Sequence, residues 1–237
     1  MSLLTACNDA QRLLSLAVSA TLIADGQETQ NLLFALAKEE VAECASWKEW
    51  PILTRSQSFT ASLASLQSAP GKPTNFDRAI AGTFWNTTTD RQIGGPLNAQ
   101  EWALAFGEPV TSLIEQYVMF RYDGLYIFPT PTAADTITFE YVINTPWETS
   151  GGTALTAPTV DTDVSKFGDR LLKLGLVWRY KQSKGRDYAE DMRNYEIARE
   201  LVFEGQRGSA RTLSIAGFEN QDTGASLPNF PVSGFGS

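Results

Sequence analysis

The side chains most able to do chemistry in this chain of 237 residues are its carboxylates, because it contains no histidine. That absence removes the commonest general base, the usual activator of a serine or cysteine nucleophile and the commonest metal ligand. Two acidic pairs could be imagined as a dyad, Glu39 with Glu40 and Asp187 with Asp191. Glycoside hydrolysis needs two carboxyl groups on either side of one bond. Glu39 and Glu40 are adjacent in a helical pattern and point in different directions. Asp187 is better placed as a helix cap. No catalytic pair is expected, and the chain reads as a protein that is not an enzyme. Cys7 and Cys44 are too few for a disulfide scaffold or a zinc site, so reduced, buried thiols in a reducing compartment are expected. Dinucleotide-binding and phosphate-loop glycine motifs are absent; Gly94-Gly95 and Gly151-Gly152 read as turns. No cofactor and no metal are expected.

Binding is better represented than catalysis. Arg179, Lys181, Lys184 and Arg186 crowd one junction between two helical patterns. Cations near a helix C-terminus are worth about 0.3–1 kcal/mol each, which explains part of the cluster. The rest is read either as a contact with a neighbouring subunit or an acidic partner such as the portal, with DNA a lesser option, or as a plainly solvated tip. Residues 163–207 carry 10 of the 19 basic side chains against 8 acidic ones, while residues 1–162 carry 8 against 17, so the chain is polar along its length. The net charge of −8 disfavours wrapping DNA or lying on an anionic membrane. No apolar stretch is long enough to span a bilayer, and the opening residues lack the basic and apolar regions of a secretion signal. From Gly205 to Ser237 the composition turns to Gly, Ser, Asn and Pro, with isolated Phe218, Leu227, Phe230 and Phe235. These four read as anchors of an extended arm that fills pockets on adjacent molecules. The six tryptophans read as core or interface anchors; a sugar-stacking platform would need several on one face.

The elements that must position these groups follow from periodicity. A first helix is expected over residues 3–20. Asp25 and Glu28 offer a capping box for a second, whose stripe is Leu33, Leu36, Ala37, Val41 and Cys44, with Pro51 beyond its end. Residues 58–66 and 79–85 read as strands, and Asn98 with Glu101 caps a short helix stopped by Gly107. Residues 117–122 and 125–128 read as a hairpin turned by Asp123-Gly124 in type I′ geometry. Residues 136–144 alternate, with Ile137, Phe139, Tyr141 and Ile143 on one face. A linker is expected over 145–160. Helices over 163–180 and 187–203 follow, joined at Gly185, with Asp187 and Glu190 restarting the chain. The expected fold class is α+β: a four-helix bundle made by the N- and C-terminal helical pairs, a small inserted antiparallel β domain and an extended C-terminal arm. The expected divisions are 1–54 for the N-terminal helices, 55–160 for the β-rich insert, 161–204 for the C-terminal helical hairpin and 205–237 for the arm.

This order resembles the head-to-tail adaptor (connector, or tail tubular) proteins of short-tailed bacteriophages. The carriers are Arg121-Tyr-Asp-Gly-Leu-Tyr-Ile-Phe-Pro-Thr-Pro131 followed by Ile137-Thr-Phe-Glu-Tyr141. Leu174-Gly-Leu-Val-Trp-Arg-Tyr180 with Lys184-Gly-Arg-Asp-Tyr188 and Tyr195 then resembles the family's final helical hairpin. The resemblance covers roughly residues 3–205. It implies a ring of about twelve subunits below the portal protein of a filled capsid, closed by heterologous contacts. It implies a lower face that receives the tail tube or nozzle and often fibres or spikes, and a channel that DNA crosses without specific binding. It also implies assembly in the host bacterial cytoplasm and residence in the virion neck. The arm departs from the family by its longer Gly/Ser-rich end. Two alternatives stand beside this reading: a tail-associated peptidoglycan or glycan hydrolase, and a neck or tail-completion protein of a long-tailed phage.

Overall fold

The computed structural model describes residues 2–24, 26–67, 72–107 and 116–207, and the chain is of the α+β class. Five helices occur among these residues: α1 (Leu3–Leu13), α2 (Glu28–Trp47), α3 (Ala99–Gly107), α4 (Asp169–Ser183) and α5 (Ala189–Arg207). Ser2 caps α1 by accepting the Thr5 N–H. The helix ends seven residues earlier than its apolar content suggests. Ser15 takes a positive φ of 57°, and the Asn8 amide bonds both the N–H and the carbonyl of Ser19, which folds residues 14–19 back. Asp25 lies outside the described residues; Gln27 stands at the N-cap of α2 with no side-chain bond to the helix. Along α2, Leu33, Ala37, Val41 and Cys44 are buried as the spacing predicts, and Leu36 is half-buried.

The C-terminal pair starts later than periodicity suggests. Residues 163–168 are not helical, because the buried Asp163 carboxylate is spent on the loop before it. It accepts the N–H groups of Thr159 (2.6 Å) and Val160 (3.0 Å) and the Thr159 hydroxyl. The Asp163 carbonyl also accepts the Leu3 N–H at 2.7 Å, while the Asp161 carboxylate accepts those of Leu22 and Ile23, so this loop ties down both ends of the N-terminal segment. Gly185 ends α4 at a φ of +64°, the left-handed conformation expected of it. Asp187 Oδ1 accepts the Ala189 N–H at the start of α5. Helix α4 packs against α1, α2 and α5. Residues Leu171, Leu172, Leu176, Val177, Trp178 and Tyr180 are accordingly buried on more than one of its sides.

Eleven strands form three antiparallel sheets among the described residues. The first joins β1 (Thr54–Thr60), β3 (Phe76–Ala79), β4 (Trp85–Asn86), β5 (Arg91–Gln92) and β8 (Thr136–Ile143). β8 pairs β1 along one edge, and β3 and β4 along the other. The second joins β2 (Leu66–Gln67), β6 (Tyr117–Arg121) and β7 (Gly124–Phe128). The third joins β9 (Trp147–Glu148), β10 (Ala154–Leu155) and β11 (Val164–Ser165).

β8 buries Ile137, Phe139, Tyr141 and Ile143 as its alternation predicts, and Val142 as well. The strands expected over 58–66 and 79–85 are displaced. Residues 61–65 leave the sheet after β1, and residues 80–84 form a turn with Gly82 at a φ of +75°. The hairpin is shifted by one residue. Arg121 pairs Gly124, so the turn residues are Tyr122 and Asp123, neither of which has positive φ, and the type I′ expectation fails. The supposed linker 145–160 contains β9 and β10, and Trp147 is 1% exposed.

One apolar cluster runs from Leu3 through the sheets to Phe203. Trp50 stands where the helices meet the sheets, its ring 4.9 Å from that of Phe167 and 5.3 Å from that of Phe203. Its indole N–H donates to the Cys44 carbonyl at 2.6 Å and so fixes the end of α2. An indole donor buried without such a partner would be costly.

Candidate functional site

The four cations singled out from sequence do not form one patch. Lys184 and Arg186 are exposed at the α4–α5 junction. Lys181 is half-buried and ion-paired with Asp191 of α5. Arg179 is 6% exposed and belongs to the interior, which corrects its placement at the tip. Its Nε bonds Glu40 at 2.5 Å, its second terminal nitrogen bonds Glu43, and Nη1 lies 3.5 Å from Glu39. The spacing explains the arrangement. Gly175 and Arg179 are one turn apart on α4, and Glu40 and Glu43 are one turn apart on the facing side of α2. Glu40 crosses the α4 backbone at Gly175, where an added Cβ would stand 2.6 Å from Glu40 Cγ. Glycine is therefore required there by contact, not by φ. Phe218, Leu227, Phe230 and Phe235 lie outside the described residues.

Burial lifts the Glu40 carboxyl above its ordinary range, and Arg179 pulls it part of the way back. Of these opposing effects we take burial as the larger, because Glu40 is 1% exposed. The Tyr195 hydroxyl is pushed up by burial and then by Glu40. Neither acidic pair has the layout of a glycosidase. Glu40 is neutralised by Arg179 while Glu39 is largely exposed, and Asp191 is held by Lys181. Cys7 and Cys44 are free and buried. Burial, with Asp161 nearby, pushes the Cys7 thiol up to about 12, and burial also raises Cys44, so both thiols stay protonated and weakly nucleophilic. Among the described residues no group of histidine, cysteine or carboxylate side chains is arranged to hold a metal.

Two further surfaces were not singled out from sequence. One is a polar cleft of about 330 Å³ lined by residues that include Asn86, Arg91, Gln116, Thr130, Thr132 and Asp135. The turn at residues 86–90 was legible, but its convergence with residues 116 and 130–135 depends on long-range pairing. The other surface is apolar. Ile197 and Leu201 on α5 are 50% and 62% exposed, and Leu104 and Phe106 on α3 are 69% and 64% exposed. The four-residue spacing of Ile197 and Leu201 off the buried stripe was available as a signal.

No protein-family model matches the chain, and no curated protein matches its sequence. No helix of the described residues is long and apolar enough to cross a membrane.

Proposed function

We propose that this chain is a virion structural protein, an adaptor ring that joins the portal vertex of a bacteriophage capsid to the tail and forms part of the DNA ejection channel. The observation that supports this reading best is the apolar patch on α5, where Ile197 and Leu201 stand one turn apart and are 50% and 62% exposed. A ring closes only through heterologous contacts, in which one surface of each subunit meets a different surface of the next. The α5 patch supplies one side of such a contact, and large exposed apolar side chains grouped on one face mark interaction surfaces better than scattered ones do. The finer architecture we infer is a four-helix bundle from residues 3–50 and 163–203, with residues 55–160 inserted; α5 runs through Gly205 to Arg207, so the arm that grips the portal protein follows Arg207 and does not begin at Gly205. The tail tube or nozzle, with fibres or spikes in some relatives, belongs below the ring. A net charge of −8 suits a channel wall to which DNA does not adhere.

The test is mass measurement with negative-stain imaging of the full chain, alone and with portal protein. A closed ring of about twelve copies on the portal is the expected result. A 26.0 kDa species that neither closes nor joins the portal at any concentration would defeat the proposal.

A further inference from the structure

The outer face of α5 is complementary to its own reverse. Positions 190, 193, 197, 201 and 204 step by three or four, so Glu190, Arg193, Ile197, Leu201 and Glu204 share one stripe. All five are exposed, while Tyr195, Ala198 and Phe203 are buried on the other side of the helix. Ile197 and Leu201 make the apolar centre, 50% and 62% exposed. Arg193 precedes that centre by one turn, and Glu204 follows it by about one turn. Neither forms an ion pair among the described residues, although Lys48, Arg179 and Lys181 all find carboxylates.

A second α5 laid antiparallel on the first, with residue 199 of each at the midpoint, matches every member of this stripe but Glu190. Ile197 faces Leu201 of the second copy, and Leu201 faces its Ile197. Arg193 lies about 9 Å before the midpoint and Glu204 about 8 Å after it, at 1.5 Å per residue. Reversal therefore brings Arg193 of one copy level with Glu204 of the other, on the same flank of the stripe. The two-fold axis repeats that pair at the far end. A parallel arrangement would instead oppose Arg193 to Arg193 and Glu204 to Glu204. Glu200 borders the stripe near the midpoint, where a like charge would oppose pairing, but Lys48 neutralises it at 3.0 Å.

An unlike partner does not need a face that is complementary to itself; a second copy does. We propose that the free protein pairs with a second copy of itself through antiparallel α5 helices about a two-fold axis, with Ile197 and Leu201 at the centre and an Arg193–Glu204 ion pair at each end. Two large apolar side chains from each copy make a contact smaller than the roughly 1,200 Å² of a stable interface, so the pair is weak. The pairing does not rest on the ring reading. Where both operate, the pair covers the α5 patch and must part before the patch can enter the heterologous contact of a ring.

The test is sedimentation equilibrium of the full chain without portal protein, from about 20 μM to 1 mM. A monomer–dimer equilibrium with a Kd of roughly 0.1–1 mM is expected. Arg193→Glu and Glu204→Arg should each weaken it about tenfold, since each sets like charges together at both ends. An equimolar mixture of the two single variants should return to within about threefold of the wild-type Kd, because each supplies the charge the other now lacks. Leu201→Ser should weaken pairing about fivefold or more. Unchanged urea midpoints show that the variants fold. The proposal is overturned if the chain stays monomeric at about 1 mM, if either single charge variant pairs as well as wild type, or if the mixture pairs no better than its components. Oligomers larger than a dimer in the chain alone would also overturn it while favouring the ring. A two-fold dimer that forms no ring on portal protein would count against the ring reading alone.

Discussion

At the scale of single residues the interior ion cluster is the strongest constraint in the helical region. Arg179 and Glu40 are 6% and 1% exposed, so their mutual attraction offsets a large desolvation cost instead of adding net stability. Removing one partner strands the other. Arg179→Met should therefore destabilise the protein by about 3–5 kcal/mol, while the double variant Glu40→Leu with Arg179→Met should recover most of that loss. Urea unfolding of the two single variants and the double variant checks this. Losses that simply add would show that the pair is not coupled. The same burial gives a pH signature. A carboxyl whose folded-state pKa is raised holds its proton longer in the folded than in the unfolded chain. Glu40 then costs stability as pH climbs from its ordinary 4.5 through the raised folded value. The wild type should lose stability relative to Glu40→Gln over that window, seen as converging or crossing urea midpoints. A constant difference across the window would contradict the assignment. Arg179 was misplaced from sequence because basic residues near a helix end are usually solvated. Only the facing pair on α2 and the gap above Gly175 reveal otherwise, and both are tertiary facts.

Elements were legible in proportion to their length and to the chemistry at their ends. β8 alternates over its first six residues and was read correctly, as was Gly185, whose left-handed conformation few other residues adopt cheaply. Asn98 and Glu101 form the expected reciprocal cap. Asn98 Oδ1 accepts the N–H groups of Gln100 and Glu101, and Glu101 returns to the Asn98 N–H, each at 2.9 Å. Asn98→Ala should cost about 1 kcal/mol, and Asn98→Asp should retain most of the stability. Equal losses in the two variants, measured by urea unfolding, would show that the cap bond is not the source. The two-residue strands β9, β10 and β11 were missed because two residues display no period. The starts of α4 and α5 were placed too early for a different reason. Asp163 and Asp187 are cap-forming types, but Asp163 serves the preceding loop and Asp187 stands two residues before the helix. Of the candidate site, the Asn86 turn was visible, whereas its meeting with Gln116 and Asp135 depended on β4 pairing with β8.

At the scale of the whole molecule, the question is how much of the chain the fold itself needs. Among the described residues the apolar cluster lies between Leu3 and Phe203. The last helix is tied to the body by Lys48 pairing with Glu200 and by the Gln206 side chain accepting the Ile52 N–H. Those contacts are complete before residue 208. A chain ending at Arg207 should therefore unfold within about 0.5 kcal/mol of the full chain, since the described core and the ties of its last helix are all kept. Under the adaptor reading the same truncation deletes Phe218, Leu227, Phe230 and Phe235, the four apolar anchors of the arm. An extended segment binds through a few such anchors, so losing all four removes the attachment outright instead of weakening it gradually. The truncated chain should keep its urea midpoint and fail to co-sediment with portal protein. Two substituted full-length chains separate the causes: Ile197→Glu with Leu201→Glu should spare portal capture by single subunits but block ring closure, while Phe230→Ala with Phe235→Ala should do the reverse. A truncated chain that captures portal normally would remove the arm from the mechanism, and one that loses several kcal/mol of stability would make it part of the fold instead.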